Sequence, residues 1–314
     1  MAYGTASGPD DVERYYTDVR GGRSPSAEAL AELKRRYAAI GNRFLLLDIT
    51  RQQADGLERE LNAQGIAVRA YLGMKHSEPF IADTVTQMRE ADIRRGLGIV
   101  MAPHWSGMSV ETYVQRVEKA AAEGGPDFTF VRRWYAQPEF VEFLSGRVAH
   151  ALGQLYPRER DAAAVIFSAH SLPVRAIDNG ELRCLACDLC EDTCRYRQEL
   201  QETADLVAGR LGLPDGSHTI AWQSAGHTPD PWWGPPVDQV IGELAAEGHQ
   251  AVVVCSAGFV ADHLEILYDL DIEAQQVARE AGIRLVRTEM PNADPAFLRA
   301  VAAAIREHVE EEAT

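Results

Sequence analysis

Two hydrophobic rhythms alternate along the chain. One is short and nearly continuous: "VRAYLG" (68–73), "LGIVMAP" (97–103), "FTFVRRW" (128–134), "AAVIFSAH" (163–170), "HTIAWQS" (218–224), "QAVVVCSAG" (250–258) and "IRLVRTEM" (283–290) read as strands. Those that are apolar throughout suit strands buried on both faces of a parallel sheet. The other rhythm is helical. Leu200, Ala204, Val207 and Leu211 share one face, and Phe297, Val301, Ile305 and Val309 recur every four residues near the end of the chain. Strand–helix alternation predicts an α/β fold with parallel sheets flanked by helices and crossover connections. The apolar run in "GNRFLLLDIT" (41–50) reads as one more strand, and "MAYGT" as the end of a first one.

The pattern repeats. "AYLGMKHSEPF…ADIRRGLGIVMAPHWSG" (70–107) and "AWQSAGHTPDP…LAAEGHQAVVVCSAGFV" (221–260) share one order: strand, His-containing loop, helix, strand, small-residue loop. Two similar Rossmann-like lobes are expected, residues 1–155 and 156–314, divided where "GQLYPRERD" breaks the rhythm. The final helix is expected to pack back on the first lobe. Loops at the strand C-terminal ends would then face one cleft, the usual ligand position in such sheets.

Composition narrows the function. The chain has 314 residues and a net charge of −16, which excludes nucleic acid as a partner because that needs a basic face. An anionic ligand would need a local cluster of Arg or Lys. No apolar run approaches the roughly 18 residues of a membrane span, and no charged-then-apolar leader is visible, so a cytoplasmic protein without a transmembrane segment is expected.

Four stretches could carry chemistry. "FSAHSLP" puts His170 just past a strand, where an imidazole can accept a proton. Taken alone, it could equally serve a loop carbonyl. In "DHLEILYDLDIE", Glu265, Asp269 and Glu273 recur every four residues, an acidic stripe beside His263 that could hold a hard cation or relay protons. "WQSAGHTPDPWWGPP" offers Trp222, Trp232 and Trp233, as core or as walls for a large flat ligand. "RYYTDVRGGRSP" places Arg20 and Arg23 where they could pair with carboxylates, or form an ordinary surface patch.

Together with "YLGMKHSEPF", "APHWS" and "EMPNADPAFL", these motifs span nearly the whole chain in order, and the sequence resembles the ferrochelatases. The resemblance implies a two-lobed chelatase fold around a porphyrin cleft and insertion of Fe²⁺ into the macrocycle. His170 looks like the family's active-site histidine and Glu265 like its opposing glutamate, with Asp269 and Glu273 continuing an iron path. Tyr3 is similar to the tyrosine of coproporphyrin-type members, so coproporphyrin III is the expected substrate and coproheme the product. Protoporphyrin IX is the alternative. The matching motifs also bring Lys75 and the Ser106–Gly107 step of "APHWSG" to the porphyrin, with Tyr3, Arg20, Arg23, Trp222 and Trp232. A monomer is expected, with enzymes of the haem pathway as possible partners. "GNRFLLLDIT" departs from the family pattern, which has a Gly-x-Ser-Pro-Leu loop there.

Four of the five cysteines crowd into an insert at 180–196. Cys184, Cys187, Cys190 and Cys194 have the spacing C-x2-C-x2-C-x3-C. Thiols in a reducing cytosol are rarely disulfides, and this is a ferredoxin-like run. An iron–sulfur cluster, a structural zinc and unligated thiols all remain open. Spacing alone favours [4Fe-4S], whereas the resemblance favours [2Fe-2S], since some ferrochelatases carry that cluster. Cys255 lies in an apolar strand and reads as core. Non-catalytic porphyrin binding that reports redox state, insertion of Co²⁺ or Ni²⁺ into another tetrapyrrole, and a ferredoxin-like carrier are the competing functions.

Overall fold

The computed structural model describes residues 1–176, 182–185, 195–226 and 229–312. Among these residues, eight strands form three sheets. β1 (Arg95–Ile99) and β2 (Asp127–Val131) run parallel. β3 (Ala163–His170), β6 (His218–Gln223), β7 (Ala251–Cys255) and β8 (Arg284–Arg287) form a parallel sheet in the order β6-β3-β7-β8. β4 (Val174–Ala176) and β5 (Leu182–Cys184) make a small antiparallel hairpin. Eleven α-helices are described: α1 (Val12–Val19), α2 (Ala27–Ala39), α3 (Leu46–Ala63), α4 (Ile81–Glu90), α5 (Val110–Ala121), α6 (Pro138–Gly153), α7 (Pro157–Asp161), α8 (Tyr196–Leu211), α9 (Val237–Ala246), α10 (Gln275–Ala281) and α11 (Pro295–Glu312). A π-helix, Ile266–Ala274, leads into α10.

The larger sheet is covered on both faces, as its apolar strands require. Side chains alternate along β3: Val165 and Phe167 enter the core shared with α6, α8 and α11, while Ala164 and Ile166 enter the core shared with α9, the π-helix and α10. α11 lies against α3 and α6, so Phe297, Leu298 and Val301 join Leu57 and Leu61 in one continuous core. Of the stripe expected on this helix, Phe297, Val301 and Ile305 are buried, whereas Val309 is exposed.

The amino end extends the smaller sheet. Met101 N–H donates to the Met1 carbonyl at 2.9 Å, Lys75 N–H to Ala2 at 2.9 Å and His76 N–H to Tyr3 at 2.9 Å. Residues 1–3 are thereby stitched between 73–76 and 99–101, and Tyr3 arrives at the C-terminal side of this sheet.

Two expected strands are not strands. The run at 41–50 opens α3 instead: Thr50 Oγ1 donates to the Leu46 carbonyl at 2.7 Å, and Phe44 stacks on Tyr37 with ring centroids 4.5 Å apart. Its apolar side chains pack sideways onto α2 rather than above and below a sheet. Residues 68–73 stay irregular because α3 side chains take their backbone groups. Val68 N–H donates to Asn62 Oδ1 at 3.2 Å, Asn62 Nδ2 donates to the Val68 carbonyl at 2.9 Å, and Ala70 N–H donates to Glu58 at 2.7 Å.

Candidate active site

One large cleft, about 1430 Å³, opens at the C-terminal ends of the strands. It exceeds the roughly 300–1,000 Å³ of common small-molecule pockets, so a large ligand fits it. The larger sheet contributes His170 from the end of β3, Gln223 and Ser224 from the end of β6, and Phe259 to Glu265 from the segment after β7. Tyr3, Lys75 and His76 face them from the smaller sheet, and Arg20 and Arg23 from the turn after α1.

β3 and β7 are neighbours, so the segments that follow them converge. Gly258 makes this possible. A Cβ there would lie 2.4 Å from Ala169 Cβ, so only glycine lets the exit from β7 press against β3. Phe259 then comes to 6.3 Å from the His170 ring, and Trp232 lies 6.5 Å away on another side.

His170 Nδ1 hydrogen-bonds the Ser171 carbonyl. A carbonyl only accepts, so Nδ1 carries the hydrogen and Nε2 holds the free lone pair. That Nε2 stands 3.8 Å from Glu265 Oε2. His263 repeats the arrangement from the other side: Nδ1 donates to the Ala261 carbonyl at 2.8 Å, and Nε2 lies 3.6 Å from Glu265 Oε2. Two imidazoles therefore bracket one carboxylate.

Electrostatics separate the acids. Burial alone would raise Glu265, but the positive charge that His170 and His263 carry when protonated, and the hydrogen bonds Glu265 receives, overcome that and hold it down at about 2. Asp269 goes the other way, up to about 6, through burial first and then the charges of Glu265 and Glu273, against the Ser224 hydrogen bond and Arg36. His263 is also raised: burial opposes its charge, but Glu265 outweighs it. One permanently ionised carboxylate thus stands beside one that exchanges a proton near neutrality, a division suited to proton or cation transfer. Ser224 holds Asp269 at 2.5 Å from a left-handed backbone, φ 57, uncommon for a non-glycine residue.

On the opposite wall, Tyr3 is 41% exposed, with its ring 4.6 Å from that of His76. Lys75 Nζ donates to Thr112 at 2.6 Å, and burial lowers this ammonium to about 8. His76 is pulled down to about 4 by burial, although Asp18 bonds its Nδ1 at 2.6 Å. Arg20 and Arg23 flank Gly21 and Gly22, both with positive φ (67 and 86), which fold the turn so that Arg23 Nε donates to the Arg20 carbonyl at 3.2 Å. Among the described residues, neither guanidinium forms an ion pair with a carboxylate, so both can receive an anionic ligand.

The cleft therefore gathers Tyr3, Arg20, Arg23, Lys75, His170, Trp222, Trp232, Glu265, Asp269 and Glu273. Trp222 contributes from the floor, since it is only 1% exposed, stacked on Trp233 and tilted against Tyr196. The Ser106–Gly107 step is not brought to the cleft. Ser106 is buried and its hydroxyl accepts from Ser109 N–H at 3.0 Å, while Met108 and Ser109 reach the wall instead. Sequence reasoning missed Ser224 as the partner of Asp269 and gave His263 no role. Of the acidic stripe, Asp269 and Glu273 lie on the π-helix rather than on an α-helix, and Glu265 immediately precedes it at the N-cap; this widened winding is often found at functional sites. Cys184 is buried at the end of β5, and Cys187, Cys190 and Cys194 lie outside the described residues. Cys255 is core, and burial pushes its thiol up to about 12.

The ferrochelatase family profile matches residues 1–309. A coproporphyrin III ferrochelatase of Anoxybacillus flavithermus is 45% identical over 99% of this chain and 96% of its own length. The coproporphyrin III ferrochelatase of Bacillus subtilis is 42% identical over 97% of this chain and 95% of its own. Among solved structures, SirB from Bacillus subtilis with Fe³⁺ superposes with a TM-score of 0.56, covering 82% of this chain and 88% of that one at 13% identity. That likeness concerns the fold, an α/β arrangement of parallel sheets flanked by helices.

Proposed function

The chain belongs to the ferrochelatase family, and on that premise we propose that it inserts ferrous iron into coproporphyrin III to give coproheme. The observation that carries the chemistry is the confrontation of His170 Nε2 with Glu265 Oε2 at 3.8 Å inside the large cleft.

Metallation of a free-base porphyrin releases two protons from pyrrole nitrogens. His170 presents a lone pair at Nε2 with its Nδ1 hydrogen already engaged, so it can accept a proton without changing tautomer. Glu265 remains anionic and stabilises the imidazolium that results. Asp269 can take up and release a proton at about 6, which makes it the next station outward, and Glu273 also lines the cleft. The same oxygen donors suit an incoming hard cation. At the rim, Arg20 and Arg23 would pair with propionates, and Lys75 and Tyr3 would meet the ring from the opposite wall. The Trp232 and Phe259 rings beside His170 suit a flat macrocycle.

Turnover with Fe²⁺ under anaerobic conditions, comparing coproporphyrin III with protoporphyrin IX, tests this reading. Coproporphyrin should be preferred, and His170→Ala and Glu265→Gln should each abolish metallation while leaving porphyrin binding in place. Normal turnover by both variants would refute the catalytic assignment and favour a binding protein.

The cysteine run supports a bound iron–sulfur cluster, which we assign as [2Fe-2S]. Four thiols within eleven positions supply a complete donor set, and buried Cys184 anchors one end to the β4–β5 hairpin. Cys184, Cys187, Cys190 and Cys194 would hold it, and it would supply a one-electron redox centre beside the enzyme. Iron, sulfide and zinc analysis with an absorbance spectrum decides among [2Fe-2S], [4Fe-4S] and zinc. Among the described residues no helix is long and apolar enough to cross a membrane. We take the enzyme to be cytoplasmic and monomeric.

A further inference from the structure

We infer that Tyr196, the first residue of α8, is a positioning residue that fixes the catalytic orientation of His170; this rests on the reading of His170 as the proton acceptor. The end of β3 is supported unequally. Its pairing with β7 stops at Phe167, while its pairing with β6 runs on to His170. The peptide between His170 and Ser171 therefore leaves the sheet with only one strand beside it. Its N–H donates to the Gln223 carbonyl at 2.7 Å. Its carbonyl accepts from the Tyr196 hydroxyl at 3.0 Å. One peptide plane is thus gripped from both sides, by β6 and by a side chain of α8.

That grip bears on the imidazole because His170 takes its orientation from its own backbone. Nδ1 donates to the very next carbonyl, that of Ser171. Ser171 is held in turn by its Oγ, which donates to the Trp233 carbonyl at 2.7 Å. Rotation of the 170–171 peptide would pull the Ser171 carbonyl out of line with Nδ1. It would also free Nε2 to turn away from Glu265.

Packing alone does not require a tyrosine at 196. The residue is buried, with its ring 5.5 Å from Trp222 and 6.2 Å from His104, and a phenylalanine would fill that space. A buried hydroxyl is unfavourable without a partner, and the hydroxyl's partner here is the carbonyl of His170 itself.

The test is Tyr196→Phe, with Tyr135→Phe as its control. Tyr135 also directs its hydroxyl at α8, to Glu202, without touching His170. Tyr196→Phe should lower kcat about 2- to 10-fold, the range a single neutral hydrogen bond controls, with KM for coproporphyrin III unchanged. In the resting protein, ¹⁵N spectra should show His170 losing its dominant Nδ1–H tautomer. Tyr135→Phe should leave both readouts at wild-type values. Unaltered His170 resonances in Tyr196→Phe, a rise in KM that accounts for the lost rate, or equal losses in the control would each overturn the assignment. The spectra need no turnover, so they separate a failure of this inference from a failure of the proposed activity, which a wild-type protein inert towards coproporphyrin would reveal.

Discussion

Asp269→Asn should make the protein more stable, and more so as pH rises. Asp269 titrates at about 6 in the folded chain against an ordinary 3.8, so the fold resists its ionisation. Between those values the native state holds more protons than the unfolded state, and stability falls as pH increases through the window. Each pKa unit corresponds to about 1.36 kcal/mol, so full ionisation costs about 3 kcal/mol above pH 6 and only about 1 kcal/mol at pH 4.5. The side chain is only 13% exposed, so solvent screening removes little of this. Asparagine keeps an acceptor for the Ser224 hydroxyl but never ionises. Its advantage over the wild type should therefore grow by about 2 kcal/mol between pH 4.5 and pH 8, while metallation slows because the proton station is lost. Urea unfolding of both proteins at the two pH values measures this difference. A gap that stays constant with pH, or shrinks as pH rises, would refute the electrostatic account of the acid row. Such a trade of stability for activity is expected where a site keeps an unfavourable charge.

Three further outcomes follow from the geometry. Acidification should destabilise the wild type only at strongly acidic pH through Glu265, whose contribution is present above its ordinary 4.5 and fades as pH falls towards about 2; Glu265→Gln should flatten that limb in acid unfolding curves. Arg20→Ala with Arg23→Ala should raise KM for coproporphyrin III at least tenfold with little change in kcat, since a charge-assisted pair contributes about 1.5–3 kcal/mol; an unchanged KM in steady-state assays would remove them from the site. Gly258→Ala forces a Cβ to within 2.4 Å of Ala169 Cβ, which should lower Tm and push Phe259 from His170, with a loss of about 1–3 kcal/mol in thermal or urea unfolding.

The larger sheet was legible because β3 and β7 are apolar on both faces, a signal that local chemistry does not blur. The acidic row was legible too, since a spacing of four survives whether the segment winds as an α- or a π-helix. The winding itself was not legible, because it depends on hydrogen-bond partners and leaves the residue pattern unchanged. Residues 68–73 misled because their composition suits a strand while Asn62 and Glu58, on a preceding helix, take their backbone groups. "FLLL" misled because an apolar run of that length serves the start of a helix as well as a strand. The clasp of Tyr196 on His170 spans 26 residues and depends on two elements meeting, so no local pattern announces it.

Charge is laid out along the cleft in one direction. Cationic Arg20 and Arg23 sit exposed at its lip, and Glu265 and Asp269 sit deeper, with exposed Glu273 at the outer end of the acidic row, within a chain whose overall charge is −16. A guest rich in carboxylates is therefore caught by its periphery and turned back from the interior, whereas a bare dication is drawn inward. Two cargoes of opposite sign can be sorted to their stations by a standing field, without a moving part. Added salt, which screens exposed charges, should blunt capture of both.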